Sequence, residues 1–205
     1  MFYATAERDR TKLPRDPFKA IVAPRPIGWI STRALDGRVN LAPYSYFNGF
    51  CSAPPIVGFS SEGWKDSATF ARESGEFVAN LATFALRDRM NETSAPFARG
   101  DNEFDRVGLT MAGCRLVAAP RVAESPAALE CKVVEVIEIR SVAGEWSGSV
   151  LTIGEVIAFH IDEEYLVEGR FDIARAQSLA RCGYQDYAAV EKVFAMARPK
   201  GGGDV

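Results

Sequence analysis

The chain has 205 residues, 47% of them hydrophobic and 25% charged, with a formal net charge of -3. That length suits one large domain, which buries roughly 70% of the surface its unfolded chain would expose. Mild acidity without Lys/Arg runs argues against a nucleic-acid binder, and no apolar stretch reaches the about 18 residues of a membrane span.

Met1 to Arg8 lacks the apolar core of a signal peptide, so a cytoplasmic location is expected. The first strong signal is a pair of strands, Ile27–Ala34 and Val39–Tyr44. They flank Leu35-Asp36-Gly37-Arg38, which reads as the turn of a β-hairpin. The run from Asn40 to Asn48 is irregular and carries amide, aromatic and hydroxyl groups. It suits the edge of a flat polar ring; a buried aromatic corner is the plainer reading.

After Pro54-Pro55, Ile56–Ser61 reads as a short strand. A helix is expected over Asp66–Glu73, with Asp66 as its N-cap. Ser60, Ser61, Lys65 and Ser67 gather around that helix start. Hydroxyls, an ammonium and helix N–H groups are what a phosphate needs. Glu62 and Asp66 oppose an anion there, and a solvated, capped surface helix is the alternative.

Glu76–Leu81 is a further strand, and Leu86–Thr93 a helix that stops before Pro96. Leu129–Ile139 is long and β-branched, and its apolar face shifts near Val133-Val134, as at a bulge. Val150–Ile161 is apolar on both faces, as in a central strand. Period-two alternation puts His160, the sole histidine, on one face with Gly154, Val156 and Ala158. Those small residues leave room for a ligand; a structural histidine is the alternative. No nucleophile elbow accompanies it, so a hydrolase triad is not indicated.

Two more helices are expected, Asp172–Arg181 and Tyr187–Met196. Arg181-Cys182-Gly183-Tyr184 with Tyr187 would then cover a pocket or cap a helix end. Residues 199–205 read as a tail, leaving 1–198 as one domain. Cys51, Cys114, Cys131 and Cys182 form no C-x-x-C pair, and with a single histidine no metal site is expected. Many strands with few helices indicate a mainly β fold, a β-barrel with peripheral helices. No G-x-G-x-x-G marks a dinucleotide-binding domain.

Read together, the motifs resemble the flavin reductase-like family of the FMN-binding split-barrel fold, near the flavoredoxin branch. The resemblance rests on residues 24–32 (PRPIGWIST), Asp36-Gly37, residues 40–48 (NLAPYSYFN), Pro54-Pro55, Ser60-Ser61 with Lys65-Asp66-Ser67, and residues 75–81 (GEFVANL). Later matches are Glu103-Phe104 before Gly108-Leu109, Gly154-Glu155-Val156 leading to His160, and Arg181-x-Gly183-x-x-x-Tyr187. It spans nearly the whole chain except the glycine tail.

The resemblance implies non-covalent FMN and a homodimer with flavin near the subunit interface. It places the phosphate at Ser60, Ser61, Lys65, Asp66 and Ser67. Ring and ribityl fall to Thr32, Ala42, Pro43, Tyr44, Ser45, Phe47 and Asn48. His160 falls where the family has a histidine near flavin or nicotinamide. The activity implied is an NAD(P)H:flavin oxidoreductase that passes hydride to flavin N5 and supplies a monooxygenase. Its rivals are a flavoredoxin-like electron carrier reduced by a protein partner, and a barrel that has lost flavin.

Overall fold

The computed structural model describes residues 1–98 and 100–199; residues 200–205, most of the expected tail, lie outside the described residues. In chain order the elements are α1 (Phe18–Ile21), β1 (Arg25–Pro26), β2 (Gly28–Arg33), β3 (Val39–Tyr44), β4 (Phe47–Ser52), β5 (Pro55–Glu62), α2 (Asp66–Ser74) and β6 (Glu76–Leu81). Then come α3 (Arg87–Glu92), α4 (Glu103–Val107), β7 (Met111–Ala112), β8 (Arg121–Val122), β9 (Ala127–Arg140) and β10 (Trp146–Ile161). The chain closes with β11 (Leu166–Val167), β12 (Arg170–Phe171), α5 (Ile173–Ala176), β13 (Leu179–Gly183) and β14 (Asp186–Ala189). No helix among the described residues is long and apolar enough to cross a membrane.

Seven strands form one sheet in the order β3-β2-β6-β9-β10-β5-β4, each pair antiparallel. The sheet curls until its edge strands, β3 and β4, are joined by Ser45-Tyr46 alone. Tyr44 and Phe59, with ring centroids 4.8 Å apart, pack β3 toward β5 without a ladder between them. The barrel therefore has a seam at residues 44–47. Its interior is filled by Ile30, Tyr44, Val57, Phe59, Ala71, Phe77, Cys131 and Val156. A second core, with Trp29, Leu41, Met90, Phe104 and Val122, covers the outer face of β2 and β3. Gly154 is required inside the barrel, because a Cβ there would lie 2.4 Å from the Phe77 ring and 3.1 Å from the Lys132 carbonyl.

The hairpin at 35–38 forms as expected. Ala34 N–H donates to Arg38 O at 2.8 Å, and Gly37 takes φ +94°, which L side chains disfavour. Three expectations are corrected. The run 40–48 is two strands and a corner rather than a loop, since Phe47 to Ser52 pairs with β5. The helix expected over 172–181 is one turn: Asp172 caps it, but Gln177 at φ +48° ends it, and Leu179 onward pairs with β1 and β14. The helix expected over 187–196 is β14 followed by a segment without regular structure. Over 179–181 and 187–189, strand pairing overrides helix propensity.

A segment without ladders, residues 114–120, packs on the outer face of β6 and β9. Its backbone donors go to two buried carboxylates. Glu130 accepts from Arg115, Leu116 and Val117 N–H at 2.9, 2.7 and 3.0 Å, and Glu76 from Ala118 and Ala119. Burial pushes the Glu130 carboxyl up, but these donors and His160 outweigh it and leave it below its ordinary value.

Candidate functional site

The seam sorts the expected cofactor residues into three groups. Ala42, Pro43, Tyr44, Lys65 and Asp66 line a cavity of about 460 Å³, closed on its far side by residues 93–98 and Glu103. Ser45, Phe47, Asn48 and Ser60 line a second, of about 470 Å³, with Arg25, Tyr46 and Phe50. Thr32, Ser61 and Ser67, the last on α2 itself, are buried and line neither cavity. Both cavities fall in the size range of small-ligand sites.

The start of α2 borders the first cavity through Lys65 and Asp66. Lys65 is the N-cap residue, extended at φ -75°, ψ 170°, and its own side chain makes no capping hydrogen bond. Asp66 is thus the first helical residue and not the N-cap expected from sequence. Lys65 is exposed. A helix N-terminus beside an ammonium favours an anion. Glu103 opposes it. Burial raises its carboxyl, the Leu41 N–H at 2.9 Å lowers it, and Asp66 and Asp101 push it up further. A carboxyl raised in this way carries its charge reluctantly, which weakens the opposition.

The buried group is a polar cluster. Burial pushes the Tyr44 hydroxyl's pKa up, while the neighbouring Ser67 and Ser61 hydroxyls lower it; Ser61 Oγ has no hydrogen-bond partner among the described residues. The Asn40 amide meets the Ser67 hydroxyl at 2.6 Å, and turned oxygen-first it places its NH2 3.3 Å from Glu103. The Thr32 hydroxyl has no hydrogen-bond partner in the protein. Thr32, Ser61 and Ser67 therefore brace the seam from behind rather than line an open surface.

The second cavity holds a residue that the sequence reading quoted in a motif but did not assign to the site. Arg25 is buried, lies over the Tyr46 ring at 5.5 Å, and donates to the Lys19 and Val22 carbonyls through one terminal nitrogen. Its Nε and other terminal nitrogen are buried without a partner. A guanidinium with free donors next to Tyr46, Phe47 and Asn48 suits a flat ligand rich in acceptors. Only its burial and orphaned donors mark it, and neither is readable from sequence.

His160 is elsewhere. The β9–β10 ladder slips by one residue between Val156 and Ala158. Val156, opposite Cys131, faces the barrel interior, whereas Ala158 and His160, opposite Glu130 and Ala128, face outward. The expected shared face of Gly154, Val156, Ala158 and His160 is broken by this bulge. His160 Nε2 lies 2.6 Å from Glu130 Oε1. An ionised carboxylate only accepts, so Nε2 carries a proton and, in the neutral ring, Nδ1 the lone pair. From Leu151, opposite Ser60, to His160 runs roughly 30 Å of strand. Cys114 lies nearby, its thiol pushed up to about 11 by burial and by the Glu130 charge. It is a neutral thiol, not a nucleophile.

The Arg181 group is not at a helix end. It sits on the β13–β14 hairpin, where Arg181 stacks over Tyr187 at 4.4 Å and also bonds its hydroxyl. Gly183 is at φ +100°, and a Cβ there would meet the Ala20 backbone at 2.7 Å.

Residues 22–173 match the model of the flavin reductase like domain. The chain belongs to that family. A protein of Halalkalibacterium halodurans described as uncharacterized is 32% identical over 183 residues, covering 87% of both chains. Nitrilotriacetate monooxygenase component B from Bacillus cereus superposes with a TM-score of 0.86 at 25% identity, covering 96% of this chain and 98% of that one. Flavoredoxin of Desulfovibrio vulgaris gives 0.76 at 25% identity, over 86% and 92%. The fold is the split barrel of flavin reductases. Orphaned Arg25 donors, a helix start with Lys65, and two cavities across the seam fit a flavin mononucleotide.

Proposed function

We propose that this protein is an FMN-dependent oxidoreductase that takes reducing equivalents from NAD(P)H. The observation that carries the reading is the seam, where a cation, helix N–H groups and an aromatic cavity with free Arg25 donors lie side by side. Lys65 and the first turn of α2 would hold the phosphate. Ala42 to Tyr44 would follow the ribityl chain, and Ser45, Phe47, Asn48, Ser60 and Arg25 the ring. When bound, the flavin supplies hydride acceptance at N5 and onward electron transfer.

The chain's own part is positioning and electrostatics. On the open edge of β3 the Leu41 N–H is committed to Glu103, and Pro43 has none. Negative charge on the ring would thus be met by Arg25 and by donors beyond Pro43. Tyr44, Asn40 and Ser67 hold the corner rigid from inside.

His160 is too far along β10 to serve the cradle of its own chain. Its role at a flavin is toward the flavin of a second copy. Exposed apolar side chains on the same ladder, Val134 at 58%, Trp146 at 48% and Phe159 at 59%, support such a homodimer. Similarity to a monooxygenase component supports a role as its electron supplier.

Similarity to a flavoredoxin supports the second reading, an electron carrier reduced by a protein. Anaerobic stopped-flow mixing with NADH and NADPH decides between them, with free FMN and FAD as acceptors. A reductase bleaches its flavin band within the mixing series, and a carrier does not. A colourless protein that takes up no FMN overturns both readings.

A further inference from the structure

Three metal-ligating side chains from separate elements meet on the outer face of β9 and β10. Glu130 comes from β9, His160 from β10, and Cys114 from the segment between β7 and β8. Their ligand atoms all lie within 4.8 Å of one another. The bulge at Ile157 makes this possible, because it turns His160 to the same side as Glu130. Cys114 is held there because the three N–H groups that follow it are tied to Glu130.

We propose that Cys114, Glu130 and His160 form a binding site for one Zn2+ ion, with a fourth position open to a cavity. Sulfur, imidazole nitrogen and carboxylate oxygen are donors that Zn2+ accepts together, and three protein ligands with one open position are a common arrangement. Glu130 is buried and His160 keeps 20% of its side chain exposed, so the ion has both an anchor and an entry path. The adjoining cavity, of about 510 Å³, is lined also by Arg115, Arg121, Ser125 and Asp162. Its guanidinium groups favour an anion, such as hydroxide or a small carboxylate, at the open position.

Binding changes the local chemistry in a defined way. The Cys114 thiol loses its proton to solvent. The imidazole proton moves from Nε2 to Nδ1, which frees the Nε2 lone pair. One proton is released per ion, and thiolate, carboxylate and dication sum to zero. The 2.6 Å separation of Nε2 and Oε1 opens to about 3.3 Å, the ligand spacing of a tetrahedron with bonds of about 2.05 Å. Backbone N–H groups on Glu130 remain as outer support.

The site shares His160 with the flavin reading but needs no flavin, so metal uptake is read apart from turnover. The test is equilibrium dialysis of the purified chain, as isolated with any flavin it carries, against micromolar ZnCl2. Metal is counted by atomic emission and released protons by buffer-dependent calorimetry. The proposal expects one Zn2+ and one proton per chain, with binding weakened at least tenfold in Cys114→Ser and in His160→Gln, and unchanged in Cys51→Ser. His160→Gln leaves the 114–120 segment untouched, so a folding defect in the first variant does not decide the matter. No uptake by the wild-type chain overturns the proposal, as does full uptake by either site variant.

Discussion

Glu130→Gln is the sharpest probe of how the fold presents its outer face. The carboxylate accepts three backbone N–H bonds and faces His160 at 2.6 Å, with no exposure to solvent. Glutamine keeps the shape but has one acceptor oxygen. Its best orientation leaves that oxygen on Leu116 and Val117 N–H and turns its NH2 toward Arg115 N–H and toward His160, whose ring then takes the Nδ1–H tautomer and accepts through Nε2. One buried donor then loses its partner, at about 1.5–3 kcal/mol for a bond to a charged group, and the other two lose their charge assistance. The sum is about 3 kcal/mol. For a chain of this size that lowers Tm by roughly 6–12 °C. The pH dependence follows from the sign. A carboxyl held below its unfolded value stabilises above that value, about 4.3, and loses the contribution as pH falls through the folded value. The wild type should therefore show an acid-labile component that the variant lacks. Differential scanning calorimetry from about pH 2 to 7 measures both, with exposed Glu138→Gln as control. A Tm drop no larger than the control's refutes the clamp.

Other outcomes are expected. Gly154→Ala drives a Cβ into the Phe77 ring and the Lys132 carbonyl, and should cost about 1–3 kcal/mol in urea denaturation; a variant as stable as wild type would mean the barrel interior yields there. His160→Ala should slow NAD(P)H oxidation more than it weakens FMN binding, measured by steady-state kinetics beside flavin titration. Equal turnover removes His160 from the reaction.

Much of the barrel was readable from the chain. The hairpin at 35–38, the long strands β9 and β10, and helix α2 carry their own patterns of alternation, turn glycine and helix periodicity. What failed were elements whose conformation is decided by distant partners. Residues 179–181 and 187–189 belong to the two expected helices but pair with β1 and with each other. Phe47 to Ser52 has no clean alternation because its strand lies at the seam, mostly exposed. The site was legible as a set of residue types but not as a shape. Nothing local says that Thr32, Ser61 and Ser67 are buried, that Arg25 has free donors, or that one slip in the ladder turns His160 away from Val156.

The measurement closest to the central claim is the FMN dissociation constant, by flavin fluorescence quenching, of wild type, Lys65→Ala and Glu103→Gln. Lys65 is exposed, so its loss should weaken binding by about 1 kcal/mol, roughly fivefold. Glu103→Gln keeps the acceptor for Leu41 N–H but removes a charge facing the same cavity. A like charge at such a partly exposed site is worth up to about 1 kcal/mol, or up to roughly fivefold tighter binding on its removal. Opposite shifts of this size locate the phosphate at the start of α2. Unchanged affinity in both variants, or no FMN binding by the wild type, would contradict the cradle at the seam.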